Sequence, residues 1–276
     1  MPNPLSWQRN DIEQMFGFTG GRFTATNSSL CLIAGLVVSV VFYLFMFLVP
    51  PNWFADMFIK RGFTPYLMVF LGGWSAFILI FKASKIAFQR RTLDMNILPQ
   101  QHNFVLSPNN VDLVLENIRQ SVEQPKDFIL FNRIVGTLSN LKNIGQIADV
   151  GDILRSYNDQ DIESVETSYS LLSGFLWAIP VLGFIGTVQG LSQAIGTFGA
   201  VLAAGADAQA LTASLQDVTG GLATAFETTL VALVMALVLH LIATMLKKSE
   251  EELLLACSEY CSSNIVAHLR MPKLEN

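Results

Sequence analysis

Residues 180–190 read Pro180-Val181-Leu182-Gly183-Phe184-Ile185-Gly186-Thr187-Val188-Gln189-Gly190, inside Thr167–Ala206, a 40-residue stretch with no charged side chain. A run this long and uncharged predicts a membrane helix. Pro180, Gly183, Thr187 and Gly190 recur at steps of three and four, so they share one helical face. Lipid has no use for a face of small residues and one hydroxyl. A neighbouring helix at close range does, and so does a path for something polar.

Working outward, three more segments qualify as spans. Leu30–Val49 and Gly62–Phe81 are each 20 residues without a charge, and Val218–Leu246 carries only Glu227 and His240. A span needs about 20 apolar residues. The mean hydropathy is +0.45. Charged residues make up 14%, against about 25% in soluble domains. The expected fold is therefore an all-α integral membrane protein with four transmembrane helices. Thr167–Ala206 has no polar turn signal, which favours one helix of roughly 35 residues, about 50 Å long, projecting beyond the bilayer.

Charge placement sets the expected orientation. Lys82, Lys85, Arg90 and Arg91 follow the second span, and Lys247 and Lys248 follow the fourth. The connection between spans three and four holds Asp207 and Asp217 and no cation. Of 17 Lys and Arg, only Lys60 and Arg61 fall on the outer side. The positive-inside rule then puts both termini in the cytoplasm. About 29 mixed polar residues precede the first span without a basic leader, so a cleavable signal is not expected.

The expected organisation is a cytoplasmic segment over 1–29, outer transmembrane helices over 30–81, a cytoplasmic helical domain over 82–166, the last two spans over 167–248 and a cytoplasmic tail over 249–276. Residues 95–110, with Pro99, Pro108 and asparagines, read as a loop. Residues 111, 114, 115, 118 and 122 form an apolar helical stripe that Pro125 interrupts. Ile134, Leu138, Leu141, Ile147, Ile153 and Leu154 suggest further amphipathic helix, broken near Gly145 or Gly151. In the tail, Leu253, Leu254, Cys257 and Cys261 make a buried-looking stripe.

The fourth span carries the second informative pattern. Ala225, Thr229, Ala232 and Ala236 lie on one face, again small residues with one threonine. Thr187 is 16 residues beyond Leu171 and Thr229 is 18 before Lys247, so both hydroxyls sit about 24–27 Å above the inner end of their helices. Two readings stand. Each threonine can bond its own i−4 carbonyl in an ordinary packed helix, or the level pair can serve a polar path.

Other chemistry is sparse. Glu227 reads either as an interfacial carboxylate or, with Asp207 and Asp217, as an outer cation funnel. His240 reads as a packing histidine or as a proton exit. Trp53 fits an outer interfacial anchor, and Trp74 and Trp177 face lipid or pack. His102 stands alone in a loop, and Cys257 and Cys261, one turn apart, read as packing and not as a metal pair. Neither a nucleophile constellation nor a metal cluster is visible, so no enzyme activity and no metal or organic cofactor is expected. A passive membrane scaffold or receptor subunit remains the alternative to an ion path. A transporter with its own substrate site would show repeats, and none is seen. Nothing resembles a nucleic-acid footprint.

The segment Pro-x-x-Gly-x-x-Gly-Thr-Val-x-Gly at 180–190, followed by Gly-Leu-x-x-Ala-x-x-x-Thr at 221–229, resembles the MotA/TolQ/ExbB proton-channel family. The resemblance covers the last two spans. The four-span layout is similar to the MotA branch, and the Gly186-Thr187-Val188 wording to TolQ/ExbB. It implies a homopentamer around a dimer of a single-span MotB/TolR/ExbD-like partner with a membrane aspartate, seated in the bacterial inner membrane. It also implies coupling of H+ flow, or Na+ flow, to mechanical work. By motif, Thr187 and Thr229 would face that aspartate and Pro180 would give a kink or hinge. Gly183, Gly186 and Gly190, with Ala225 and Ala232, would allow close approach. The resemblance leaves the machine open among a flagellar stator, an outer-membrane energiser, and a gliding or defence motor.

Overall fold

The computed structural model describes residues 5–270 apart from 8–10, 16, 19, 51, 60–61, 96, 98–104, 109, 140, 142–146 and 206. Lys60, Arg61, Pro99, His102, Gly145 and Ala206 lie outside the described residues. Among the described residues eight α-helices follow in chain order: α1 Ile12–Met15, α2 Ser28–Leu48, α3 Trp53–Ile59, α4 Thr64–Arg90, α5 Val111–Ser121, α6 Ile129–Ser139, α7 Ile147–Ala203 and α8 Ala208–Tyr260. A 3-10 turn at Pro125–Asp127 separates α5 from α6, and a π turn at Cys261–Val266 follows α8. Among the described residues there is no strand beyond two isolated bridges, Leu5 to Val122 and Leu106 to Leu269. Four helices (α2, α4, α7 and α8) are long and apolar enough to cross a membrane.

The helices are longer than the sequence reading anticipates. The helix containing the third span begins at Ile147 and has 57 residues. No break occurs at Gly151, which lies inside α7. A single helical glycine costs only about 1 kcal/mol relative to alanine, too little to end a helix whose neighbours are good formers. α8 begins at Ala208, so Asp217 stands within a helix and not in a loop. The connection from α7 to α8 shrinks to a few residues. Gly205, at φ 66°, makes the left-handed turn that ends α7, and the Asp207 carboxylate accepts the Ala210 N–H at 2.9 Å to cap α8. Likewise α4 runs on past the apolar segment 62–81, so Lys82, Lys85 and Arg90, which follow that segment, are still helical.

The chain divides into two compact units. One comprises Met1–Asn27, Ile80–Tyr169 and Met245–Asn276, and the other Ser28–Leu79 and Ser170–Thr244. In the first, α6 is the core helix. Ile129, Leu130, Phe131, Ile134 and Leu138 are buried, as are Val111, Val114 and Ile118 of α5. Trp7, Phe88 and Phe128 form an aromatic cluster, with the Trp7 and Phe128 rings edge-on at 5.3 Å between centroids. The Leu253, Leu254, Cys257 and Cys261 stripe is buried as its periodicity predicts.

Charge is buried in this unit too. Lys82 and Glu250, both fully buried, pair at 3.0 Å. Lys82 also stands over the Tyr169 ring at 4.2 Å, and Thr24 donates its hydroxyl to Glu250. Lys85 pairs with Glu13 at 2.6 Å and donates to the Ala25 carbonyl at 2.8 Å. Arg133 pairs with Asp161 at 2.6 Å. A buried charge is tolerated only when paired and hydrogen-bonded, and each of these is both.

In the second unit the helices meet through small residues. A Cβ built on Gly35 of α2 would lie 2.8 Å from the Trp74 backbone of α4, so glycine lets these two helices cross. Large apolar side chains on the opposite faces, among them Leu44, Phe47, Trp177 and Phe184, are exposed on the single chain. These faces are suited to lipid or to neighbouring helices.

Candidate functional site

Within the second unit, α7 and α8 pack along the two small-residue faces. A Cβ on Gly183 would come within 2.5 Å of the Ala232 Cβ, and one on Gly221 within 2.6 Å of the Ala194 Cβ. Both distances are far inside van der Waals contact, so the helices approach this closely only because glycine is present. Gly190 faces Ala225 in ordinary contact at 3.6 Å. Ala225 and Ala232 are fully buried and Ala236 nearly so. Gly186 points elsewhere, against the hydroxyls of Thr64 on α4 and Thr228 on α8. Pro180 sits inside the continuous helix α7. Lacking an N–H, it leaves the Leu176 carbonyl without its i+4 partner.

At the centre of this crossing the hydroxyls of Thr187 and Thr229 touch each other. Each also reaches across the interface. Thr187 donates to the Ala225 carbonyl at 3.1 Å, and Thr229 to the Gly183 carbonyl at 3.1 Å. The i−4 contacts are present as well, Thr187 to Gly183 at 3.2 Å and Thr229 to Ala225 at 3.4 Å. The i−4 bonds of an ordinary packed helix are thus present, and the two hydroxyls expected at one level meet. Two hydroxyls carry only two hydrogens, which cannot satisfy four carbonyl contacts and the mutual contact together. Several donor arrangements compete, and in each a hydroxyl retains a free acceptor lone pair. Such a pair can accept a proton-bearing group or coordinate a cation. Both threonines are half-buried, so the pair is partly accessible on the single chain.

The remaining candidates are scattered. The Trp53 indole N–H of α3 donates to Glu227 at 3.3 Å, an anchor the sequence reading did not connect to that carboxylate. Asp207 serves as the α8 cap, while Asp217 and His240 are exposed on helix α8. None of these touches the threonine pair. Sequence reasoning missed Thr228 and Thr64, which flank Gly186. Thr228 is buried and bonds the Ala225 carbonyl at 2.9 Å. Its adjacency to Thr229 was the available signal, since one residue further along a helix turns the side chain by about 100° onto the next face. The Thr64 hydroxyl is buried and has no hydrogen-bond partner among the described residues.

The fold and this crossing define a class: a multi-pass helical membrane protein whose last two long helices are locked together around a shared pair of hydroxyls. A model of the MotA/TolQ/ExbB proton channel family matches residues 122–259, half of the chain, and the chain belongs to that family. The match takes in α6, α7 and nearly all of α8, and so contains the threonine pair. No curated protein and no solved structure matches the chain.

Proposed function

We propose that this chain is the channel subunit of an ion-motive-force-driven rotary complex, in which five copies surround two copies of a single-span partner of MotB, TolR or ExbD type. The partner carries a carboxylate in its membrane helix. The observation that carries this reading is the Thr187–Thr229 hydroxyl pair at the α7–α8 crossing, inside the family-matched region. A lone membrane carboxylate is costly unless it is protonated or beside polar groups. Threonine hydroxyls with a free lone pair can accept the carboxylic O–H, and with a donor hydrogen they can bind the carboxylate. One site therefore receives both protonation states by redistributing its hydrogens.

Five such sites cannot all be satisfied by two carboxylates. Protonation from outside and release inside change which site each carboxylate prefers, and the ring steps around the dimer. Each H+ supplies about 2.3 kcal/mol per 100 mV, enough to bias a step between packed arrangements of similar energy. Na+ is the alternative ion. Glu227, held by Trp53, collects cations at the outer mouth with Asp207 and Asp217, and His240 lies toward the exit. The complex sits in the bacterial inner membrane with both termini cytoplasmic. The chain itself is not an enzyme in this reading.

The test is the native mass of the complex purified from its own host in mild detergent, with co-purifying chains identified. Five copies with two of a small single-span protein bearing a membrane carboxylate are expected. A monomer or dimer without such a partner, stable across detergents, would contradict the proposal and favour a passive scaffold.

A further inference from the structure

In the unit built from Met1–Asn27, Ile80–Tyr169 and Met245–Asn276, a cavity of about 380 Å³ opens where α6, α7 and the end of α8 meet. Arg133, Arg155, Asn158, Ser258, Cys261 and Ser262 line it. Among the described residues of its lining both charged ones are arginines and none is a carboxylate, in a chain whose net charge is −5. Arg133 is only 1% exposed. Its Nε donates to Asp161 at 2.6 Å and its Nη1 to the Ser258 hydroxyl at 2.8 Å, while Nη2 has no hydrogen-bond partner among the described residues. Leaving a buried guanidinium N–H without an acceptor is costly and uncommon.

Further donors remain available in the lining. Arg155 reaches Asp152 only at 3.9 Å, with both side chains largely in solvent. Ser258 donates to the Asn158 Oδ1 at 2.9 Å, which leaves the Asn158 amide N–H groups as donors, and Ser262 is exposed. Two guanidinium groups, an amide and a hydroxyl form a donor-rich set matched to oxyanions.

We propose that this cavity binds a small organic anion of phosphate or carboxylate type. Its volume falls within the range of small-molecule pockets, about 300–1,000 Å³, and exceeds what a bare ion needs. An oxyanion there accepts from Arg133 and Arg155 and joins the middle of α6 to the first turns of α7 and the end of α8.

The test uses the full chain in lipid nanodiscs, with its melting temperature titrated against adenosine monophosphate, citrate and KCl at matched ionic strength. A saturable rise with adenosine monophosphate or citrate, absent with KCl, is expected. The anion that acts assigns phosphate or carboxylate. Arg155→Gln and Ser262→Glu, both at exposed positions that leave the Arg133 pairs intact, are each expected to weaken the apparent affinity about tenfold. Arg119→Gln, on the exposed face of α5, leaves it unchanged. No saturable rise with either anion, an equal rise in KCl, or a rise that survives both cavity substitutions would overturn the proposal.

Discussion

Thr187 and Thr229 share two backbone carbonyls as well as a direct contact: each hydroxyl lies within hydrogen-bonding distance of both the Gly183 and the Ala225 oxygens. The surplus of acceptors over hydrogens makes the pair switchable between donor patterns at little cost, which is what a site serving a titrating carboxylate requires.

The closeness of α7 and α8 can be tested through glycine. In Gly183→Ala the new methyl meets the Ala232 Cβ at 2.5 Å, and a loss of about 1–3 kcal/mol is expected from overpacking. Adding Ala232→Gly to the same chain restores most of it. Thermal unfolding in detergent reads both, and an additive double variant would show that the two positions do not meet.

The Lys82–Glu250 pair predicts strong coupling. Glu250→Gln strands a fully buried ammonium, at a cost of about 3–5 kcal/mol. The double variant Lys82→Met with Glu250→Gln recovers most of the stability, because the amide still accepts from Thr24 and no charge is left unpaired. Denaturation midpoints of the three variants check this, and a double variant worse than either single one contradicts it.

Asp127 gives a pH dependence. Burial, with the Asp11 carboxylate adding to it, pushes its carboxyl above the ordinary carboxylate range. The folded state thus holds this proton more tightly than the unfolded chain does. The ionised group destabilises the fold above the raised value and ceases to do so below the ordinary carboxylate range, about pH 4. Asp127→Asn is therefore expected to raise the melting temperature at pH 7, with the gain vanishing by about pH 4.

The reach of sequence reasoning differs from residue to residue. The four spans and the Thr187–Thr229 level were legible, because hydropathy and helical rise are local properties and the two depths follow from counting. The true length of α7 was not. Its charged first half carries no long apolar stripe, and Gly151 mimics a break that the helix absorbs. The Lys82–Glu250 pair was invisible because its partners stand 168 residues apart. The one hint was a pair of lysines, Lys82 and Lys85, closing an apolar helix with no acid within reach on it. The Trp53 bond to Glu227 depends on how α3 folds back, which no periodicity encodes.

Glu227→Gln tests the proposed cation funnel. A roughly threefold rise in the half-saturating ion concentration is expected at low ionic strength, shrinking as salt screens the field. Initial ion-flux rates across a concentration series give the value, and an unchanged dependence would mean that Glu227 only anchors Trp53.

The central claim is tested most directly by potential-driven proton uptake into liposomes carrying this chain with its co-purified partner, wild type against Thr229→Val. Valine keeps the volume and removes the hydroxyl. A fall in uptake of about tenfold, as expected for loss of one hydrogen bond in the rate-limiting state, with assembly intact and activity retained in Thr229→Ser, is the predicted result. Undiminished uptake in Thr229→Val would contradict the account and leave the threonine pair as packing alone.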